Sequence, residues 1–350
     1  MRSIAQRGLG FVIFLVAVMF LPLCAMAAEQ IVVSNFGVAA NGMPYAVAME
    51  KGFFKEAGAD VSGVLSSAGG GTTVRNLMTE HLSFGEIDLA GTVAAIQQGA
   101  DLKIISENVL TVAEFVWAVK PDSPIKTLQD LKGKKIGYTN PRSTSQALDI
   151  LLLEQAGLKA EDAELVKTGG FGEAAVALNT GLIDVATLAD PVWSKNKAQF
   201  RVLVSASDVL PPLCNVIGVT TGEAAATKGD FIRALLHGRR KAVEFMSAHP
   251  DEAAAIVAKA YNLDLAVVKS TIDNLIAPSK SGVPYWGPGY FDMAGMDRMI
   301  RAQKLVGALS GDVDWSKIVD ISFLSDDLKT KNKRSPRPDR QIFSSRLAFS

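Results

Sequence analysis

Short runs of apolar and β-branched residues alternate along this chain with longer segments of helical period. Runs at residues 31–34, 60–65, 88–90, 102–106 and 115–119 predict strands. A second set follows at 135–138, 164–168, 184–187 and 202–205. The segments between them carry helix ends. Pro44 suits a first helical turn, and Gly58 and Gly157 suit the left-handed position just past one. Strands alternating with helices predict mostly parallel sheets in an α/β protein. After Gly222 the pattern is helical at 230–248, 250–261, 264–276 and 290–308. Pro250-Asp251-Glu252 opens the second of these with proline and acids in its first turn.

The strand sets read as two copies of one unit. Each copy runs strand, helix ending in Ala-Gly (Ala57-Gly58, Ala156-Gly157), strand, glycine turn (Gly69-Gly70-Gly71, Gly169-Gly170) and helix. Each then ends in Gly-x-Ile-Asp-x-Ala, at Gly85 and again at Gly181. Two similar lobes predict a clamp around a small molecule. The chain is expected to cross between them at 115–120 and return at 215–220, a two-strand hinge. The first lobe then takes 28–116 and 217–328, and the second takes 117–216.

The N-terminus changes the compartment. Arg2 and Arg7 precede an apolar run from Leu9 to Leu23 and the cleavage signal Ala25-Met26-Ala27, which predicts a signal peptide over 1–27. A lipid anchor on Cys24 is disfavoured by bulky Leu23 before it. The mature chain is expected outside the cytoplasm, in the periplasm. Lys and Arg balance Asp and Glu at 36 each, so losing both leader arginines leaves a slight acidic excess. Nothing in that balance favours nucleic acid or an anionic membrane surface. Cys214 alone remains after cleavage, so no intramolecular disulfide is expected. From 329 to 350 the chain is basic and lacks an apolar period, which predicts a disordered tail.

The strongest candidate chemistry lies at predicted helix starts. Ser67, Gly69, Gly70, Gly71 and Thr72 follow a strand and open a helix, where free amides and the helix dipole suit an anionic group. It is not a Walker loop, because no Gly-Lys-Ser/Thr follows. In the second copy, Arg142, Ser143 and Thr144 open a helix in the same way. One hydroxyl there serves as the cap, and the others and Arg142 are free to meet a ligand. Asn35, Gly37 and Ala40 follow the first strand. Thr92, Phe171 and Asp190 stand near carboxyl ends of other strands, where ligands gather in open α/β sheets. Glu114 and Trp117 flank the first crossing. Catalytic patterns are missing: no His-Glu-x-x-His, no Gly-x-Ser-x-Gly and no cysteine pair. No metal or cofactor is expected.

Gly42-Met43-Pro44-Tyr45, the stretch Glu50-Lys51-Gly52-Phe53-Phe54-Lys55-Glu56-Ala57-Gly58, the glycine loop and the Gly-x-Ile-Asp-x-Ala motif resemble the solute-binding proteins of ABC importers. Leu128-Gln129-Asp130-Leu131-Lys132-Gly133-Lys134-Lys135-Ile136-Gly137 resembles the start of their second lobe. The nitrate/sulfonate/taurine group is nearest, similar also to thiamine-pyrimidine (NMT1/THI5-like) binders. The resemblance implies a type II periplasmic-binding fold that closes on a solute and docks, as a monomer, on a permease served by an ATPase. It also implies ligand contacts over 35–41 and 66–72, at Thr92, over 142–145 and at Asp190. Two helix starts and Arg142 favour a small sulfonate-like anion. Glu114, Glu173, Asp190 and the aromatics leave a cationic or heteroaromatic ligand open, and a sensor subunit is the alternative role. The pyrimidine synthases of this superfamily use a cysteine-rich motif that this chain lacks.

Overall fold

The computed structural model describes residues 28–277 and 280–334. The signal peptide expected over 1–27 lies outside them. Strands β1 (Glu29–Ser34), β2 (Val61–Ser67), β3 (Gly85–Asp88) and β4 (Leu102–Val109) open the first sheet. The chain then crosses to β5 (Phe115–Val119), β6 (Lys135–Tyr138), β7 (Glu164–Lys167), β8 (Val185–Ala189) and β9 (Arg201–Ser205). It returns for β10 (Val216–Thr221) and, much later, β11 (Trp286–Gly289). The first sheet has the order β11-β4-β10-β3-β1-β2 and the second β7-β6-β8-β5-β9. Both are mixed. β1 is parallel to β2 and β3, and β6 is parallel to β7 and β8, while β10 and β5 run antiparallel to their neighbours.

The duplication is therefore real as topology, because β3-β1-β2 and β8-β6-β7 are one arrangement used twice. The Gly-x-Ile-Asp-x-Ala match is nevertheless out of register. Gly85 pairs with Val32 on β1, whereas the residue pairing with Ile136 on β6 is Val185, four positions beyond Gly181. Asp184 accepts from the Lys135 amide (2.9 Å) at the foot of its strand, and Asp88 stands at the opposite end of β3. The strand expected at 88–90 is the start of a helix, Leu89–Gln97, because the Asp88 carboxylate caps the Gly91 amide (2.7 Å).

The hinge also shifts. Segments 115–120 and 215–220, expected as crossings, supply β5 and β10, interior strands of separate sheets. The crossings are the residues just before each: 110–114 going out and 211–215 coming back. They are tied together, since Asn215 donates from its amide to Val109 O (3.0 Å) and from Nδ2 to Glu114 Oε1 (2.7 Å). The basic segment from 329 continues a helix, Asp326–Arg334, whose first turn holds two acids at the positive end of the dipole. The remainder of the expected tail lies outside the described residues. No helix among the described residues is long and apolar enough to cross a membrane.

Two polar groups are buried within these layers. On the first sheet, Arg239 of the helix Gly229–Ala248 reaches Glu86 (3.3 Å), Gly287 O (2.7 Å) and Asn108 O (2.8 Å). It thereby fastens β3, β4 and β11 to one helix. On the second, Asp149 accepts from Trp117 Nε1 (2.8 Å) and Thr187 Oγ1 (2.5 Å), while its other oxygen is buried without a partner. Trp117 is fully buried there, so it lies beneath the cleft edge and not on it.

Two outcomes follow. Arg239→Met strands the Glu86 charge in the core and should cost about 3–5 kcal/mol by denaturant unfolding. Burial pushes the Asp149 carboxyl up to about 7. Its native form therefore holds a proton that the unfolded chain has released, and stability falls as pH rises from about 4 to about 7. Unfolding midpoints across that range should fall less steeply in Asp149→Asn, which keeps an acceptor for Trp117 and Thr187, the remaining slope coming from Glu114 and Glu107.

Candidate functional site

The carboxyl ends of β1, β2, β3 and β4 and the start of β10 share one edge of the first sheet, since Val216 pairs with both Asp88 and Val109. The ends of β6 and β8 share an edge of the second with the start of β5, where Phe115 pairs with Ala189. The crossings join these two edges. They therefore face each other across a cleft whose floor is Glu114 and Asn215, the strand-end geometry in which open sheets bind ligands.

The first-sheet wall begins at Asn35 and Gly37, which turn the chain with φ of 54° and 91°. Ser66 Oγ holds this loop by donating to Phe36 O (2.7 Å). Phe36 also packs edge-on against Tyr261. Ala40 does not belong to the wall: it is buried, and its carbonyl accepts from Trp286 Nε1 (3.1 Å). Ser67 is buried and receives Asn76 Nδ2 (3.2 Å). Thr92 is also buried, its hydroxyl bonded back to Asp88 O (3.1 Å) inside its own helix. These three contribute packing, a consequence of tertiary neighbours that strand-end position alone does not reveal.

The glycine loop reverses its expected electrostatics. Gly69 (φ 77°) starts the helix Gly70–Thr79 without a side-chain cap. A methyl on Gly70 would lie 1.7 Å from Asp88 Oδ2. The carboxylate occupies the position where a bound anion was expected, accepting from the Gly70 and Gly91 amides at two helix starts. Burial raises the Asp88 carboxyl, and these amide bonds oppose the rise. In the second lobe, Gly170 opens the helix Phe171–Thr180, and a methyl there would lie 2.4 Å from Glu173 Oε2. Each glycine thus makes room for the protein's own carboxylate. Gly71 has no atom within 4 Å of such a methyl, and Thr72 is half-buried beside it.

On the second wall, Ser143 caps the helix Thr144–Gln155 by accepting from the Gln146 amide (3.2 Å), as one hydroxyl of the group was expected to do. Thr144 is half-buried and accepts weakly from Gln303 Nε2 (3.5 Å). Arg142 is exposed, with a left-handed backbone (φ 65°) held by Gln146 Oε1 on its amide (2.7 Å). Its guanidinium has no hydrogen bond or ion pair among the described residues. Phe171 packs edge-on against Phe115 (5.8 Å) at the top of β5. Asp190 is buried and saturated by Ser194, Thr271 and Asn274. Sequence reading passed over Thr271 and Asn274, whose only signal is a helix that reaches this edge from about eighty residues away.

The floor is the most polarised part. Glu114 is 6% exposed; Asn215 Nδ2 donates to its Oε1 and the Tyr285 hydroxyl stands at the carboxyl as a second donor. Burial, with help from Asp190, lifts its carboxyl to about 8. Tyr285 stands beside it, its hydroxyl likewise pushed up by burial and by the Glu114 charge. Among the described residues no group of three or more His, Cys, Asp or Glu could hold a metal. A separate cavity of about 210 Å³ lies on the outer side of the first sheet, lined by Asn108, His237, Arg239 and Phe323 among others, and none of the predicted site residues reaches it.

The glycine arrangement predicts unequal substitutions in neighbouring residues. Gly70→Ala drives a methyl into Asp88 and should destabilise by about 1–3 kcal/mol, as overpacking does. Gly71→Ala has open space and a helical position, and should stabilise by up to about 1 kcal/mol. Thermal unfolding of the two variants checks this.

The comparisons with known proteins agree with this architecture. Residues 39–253 match the family described as NMT1/THI5 like. A protein of Escherichia coli (strain K12) named for binding aliphatic sulfonates is 30% identical over 207 residues. That alignment covers 56% of this chain and 63% of the relative, less than two thirds of its length. A Bacillus subtilis (strain 168) protein named in the same way is 28% identical over 254 residues, 70% of this chain and 75% of the relative. Among solved structures, the periplasmic aliphatic sulphonate binding protein SsuA from Escherichia coli superposes with a TM-score of 0.69 at 20% identity, covering 83% of this chain and 91% of that one. The periplasmic nitrate-binding protein NrtA from Synechocystis PCC 6803 gives 0.66 at 14%, covering 88% of each. These likenesses carry the fold, that of type II periplasmic binding proteins, and the family match carries membership: the chain belongs to the NMT1/THI5-like family.

Proposed function

We propose that this chain is the extracytoplasmic substrate-binding component of an ABC importer, holding a small organic solute by an anionic end in the interlobe cleft. It would bind the solute unchanged and pass it to a membrane permease served by an ATPase. The observation that carries the anionic reading is Arg142. It is a free guanidinium at the carboxyl edge of the second sheet, next to the hydroxyls that open Thr144–Gln155. The other two helix starts already hold carboxylates, which leaves this one for the solute. The relatives named for aliphatic sulfonates support the same class.

Closure fits the contacts between lobes. The helix Leu265–Ile276 meets the second lobe through Thr271 and Asn274 on Asp190, and the helix Met293–Leu305 meets it through Gln303 on Thr144. A solute shifts the lobes toward closure only by binding that state more tightly.

A thermal-shift panel of sulfonates, nitrate, sulfate, carboxylates and pyrimidines tests the reading. A ligand at 100 times its Kd adds about 2.7 kcal/mol, enough to move the midpoint by a few degrees. Sulfonates or carboxylates should shift it, and Arg142→Ala should weaken them about tenfold or more by loss of a charged hydrogen bond. A response to pyrimidines alone, or unchanged affinity in Arg142→Ala, overturns the anionic reading.

A further inference from the structure

The cavity on the outer side of the first sheet is built by one stripe of a helix and the segment that folds over it. Arg233, Leu236, His237 and Arg240 recur at helical spacing along Gly229–Ala248, so they share one face. Phe323, Leu324 and Leu328 come from the segment 321–328 and are buried where that segment packs on the helix. The guanidinium of Arg233 lies over the Phe323 ring (5.8 Å to its centre), and Arg240 Nη1 donates to Ser325 Oγ (3.2 Å) and Asp327 Oδ2 (2.8 Å). These contacts hold the outer wall in place and leave a space of about 210 Å³ behind it. The inner end is the sheet itself. Gly289 of β11 has a φ of 117°, and a methyl there would stand 3.6 Å from Ser106 Cβ and from Leu324 Cδ2. A side chain at 289 would therefore stand among the lining residues, and glycine leaves that room open.

The lining is electrostatically one-sided. Arg233, His237, Arg239 and Arg240 contribute to it, and no described aspartate or glutamate does. The carboxylates that pair with the outer arginines, Asp230, Glu244 and Asp327, are all more than half exposed and stand outside the lining. Exposed pairs of this kind contribute little, so an incoming anion displaces them at small cost. At the buried Arg239, the bonds to Glu86, Gly287 O and Asn108 O use three of the five guanidinium N–H donors. Glu86 is itself occupied on both oxygens, by Asn41 on one and by Asn108 and Arg239 on the other. Beside these cations lies the apolar surface of Leu236, Phe323, Leu324 and Leu328.

We propose that this chamber is a second binding site, separate from the interlobe cleft, for a small organic anion with an apolar body: a short-chain carboxylate. Its alkyl chain lies against Leu236, Leu324 and Leu328, and its carboxylate faces Arg233, His237 and Arg240 at the mouth. The three arginines disfavour a cationic ligand of the same shape. The space is smaller than pockets for drug-sized molecules, which begin at roughly 300 Å³, so the chain must be short. A bound molecule bridges the helix Gly229–Ala248 to the segment 321–328 and ties that segment to the first lobe. The site stands independently of what the cleft holds.

Titration calorimetry with hexanoate, acetate, hexan-1-ol and hexan-1-amine tests the proposal. It is carried out on the Arg142→Ala protein, so that a carboxylate held in the cleft does not mask the result. One hexanoate per chain is expected to bind, more tightly than the alcohol or the amine. It should also bind about tenfold or more tighter than acetate, since each buried methylene contributes roughly fourfold. Arg233→Glu reverses a charge at the mouth and lies near the start of its helix, where an acid suits the dipole. In the same background it should weaken hexanoate about fivefold or more. Leu236→Trp fills the chamber and should abolish binding. Failure of hexanoate to bind, or equal binding of hexanoate and hexan-1-amine, overturns the proposal. Hexanoate affinity that survives both Arg233→Glu and Leu236→Trp overturns it as well, because the ligand then lies elsewhere. None of these outcomes bears on the cleft, which titration of the wild-type protein with sulfonates reports separately.

Discussion

Two crossings, five residues each, are the constraint on which the cleft depends. Everything that could touch a solute stands on one sheet edge or the other, and these segments alone carry the chain between the edges. The bond from Asn215 Nδ2 to Glu114 Oε1 ties the outgoing segment to the returning one. It also fixes Glu114 with one oxygen on Asn215 and its carboxyl beside the Tyr285 hydroxyl. The floor's geometry and its unbalanced charge thus have one source.

The walls show how a duplicated unit acquires an asymmetric site. Gly70 and Gly170 sit in matching turns, and both leave room for a carboxylate at a helix start. In one case the carboxylate comes from the end of β3, and in the other from the first turn of the helix itself. The helix dipole attracts an anion in either case. The protein supplies that anion internally, so only the Thr144–Gln155 start remains for something brought in from outside. Arg142 stands there in a left-handed conformation that few non-glycine residues adopt. Its neighbour Gln146 accepts from the backbone amide, and the guanidinium has no hydrogen bond or ion pair among the described residues.

Buried polar groups carry the rigidity that such a clamp needs. Arg239 donates to three separate strand or loop positions, and its Glu86 partner also accepts from Asn41 and Asn108. That network locks the first sheet to its covering helix and to the loop behind the first wall. Asp149 does comparable work in the second sheet through Trp117 and Thr187. In both lobes these buried polar groups lie behind the binding edge, where their hydrogen bonds make the core specific.

Much of the fold was legible in the residues. Short apolar runs marked β5 and β6 to the residue, because strands buried in a sheet interior are near-continuously apolar. The helix Pro250–Tyr261 was marked by its proline and acids. β11 was not legible, since Trp286-Gly287-Pro288-Gly289 has no strand pattern and pairs only because β4 offers an edge. The site divided in the same way. Ser143 as a cap, Arg142 at a helix start and Asn35 and Gly37 in a turn follow from local chemistry and chain order. Whether Trp117, Thr92 or Ala40 faces a ligand or the core depends on which distant element packs over it, and here each faces inward. The sequence by itself determined the elements, the duplication and the places where a ligand could be held, because those depend on neighbours along the chain. Tertiary structure decided that Asp88 fills the glycine loop and that Glu114 is buried among Asn215, Asp190 and Tyr285, because those depend on groups brought together across the chain.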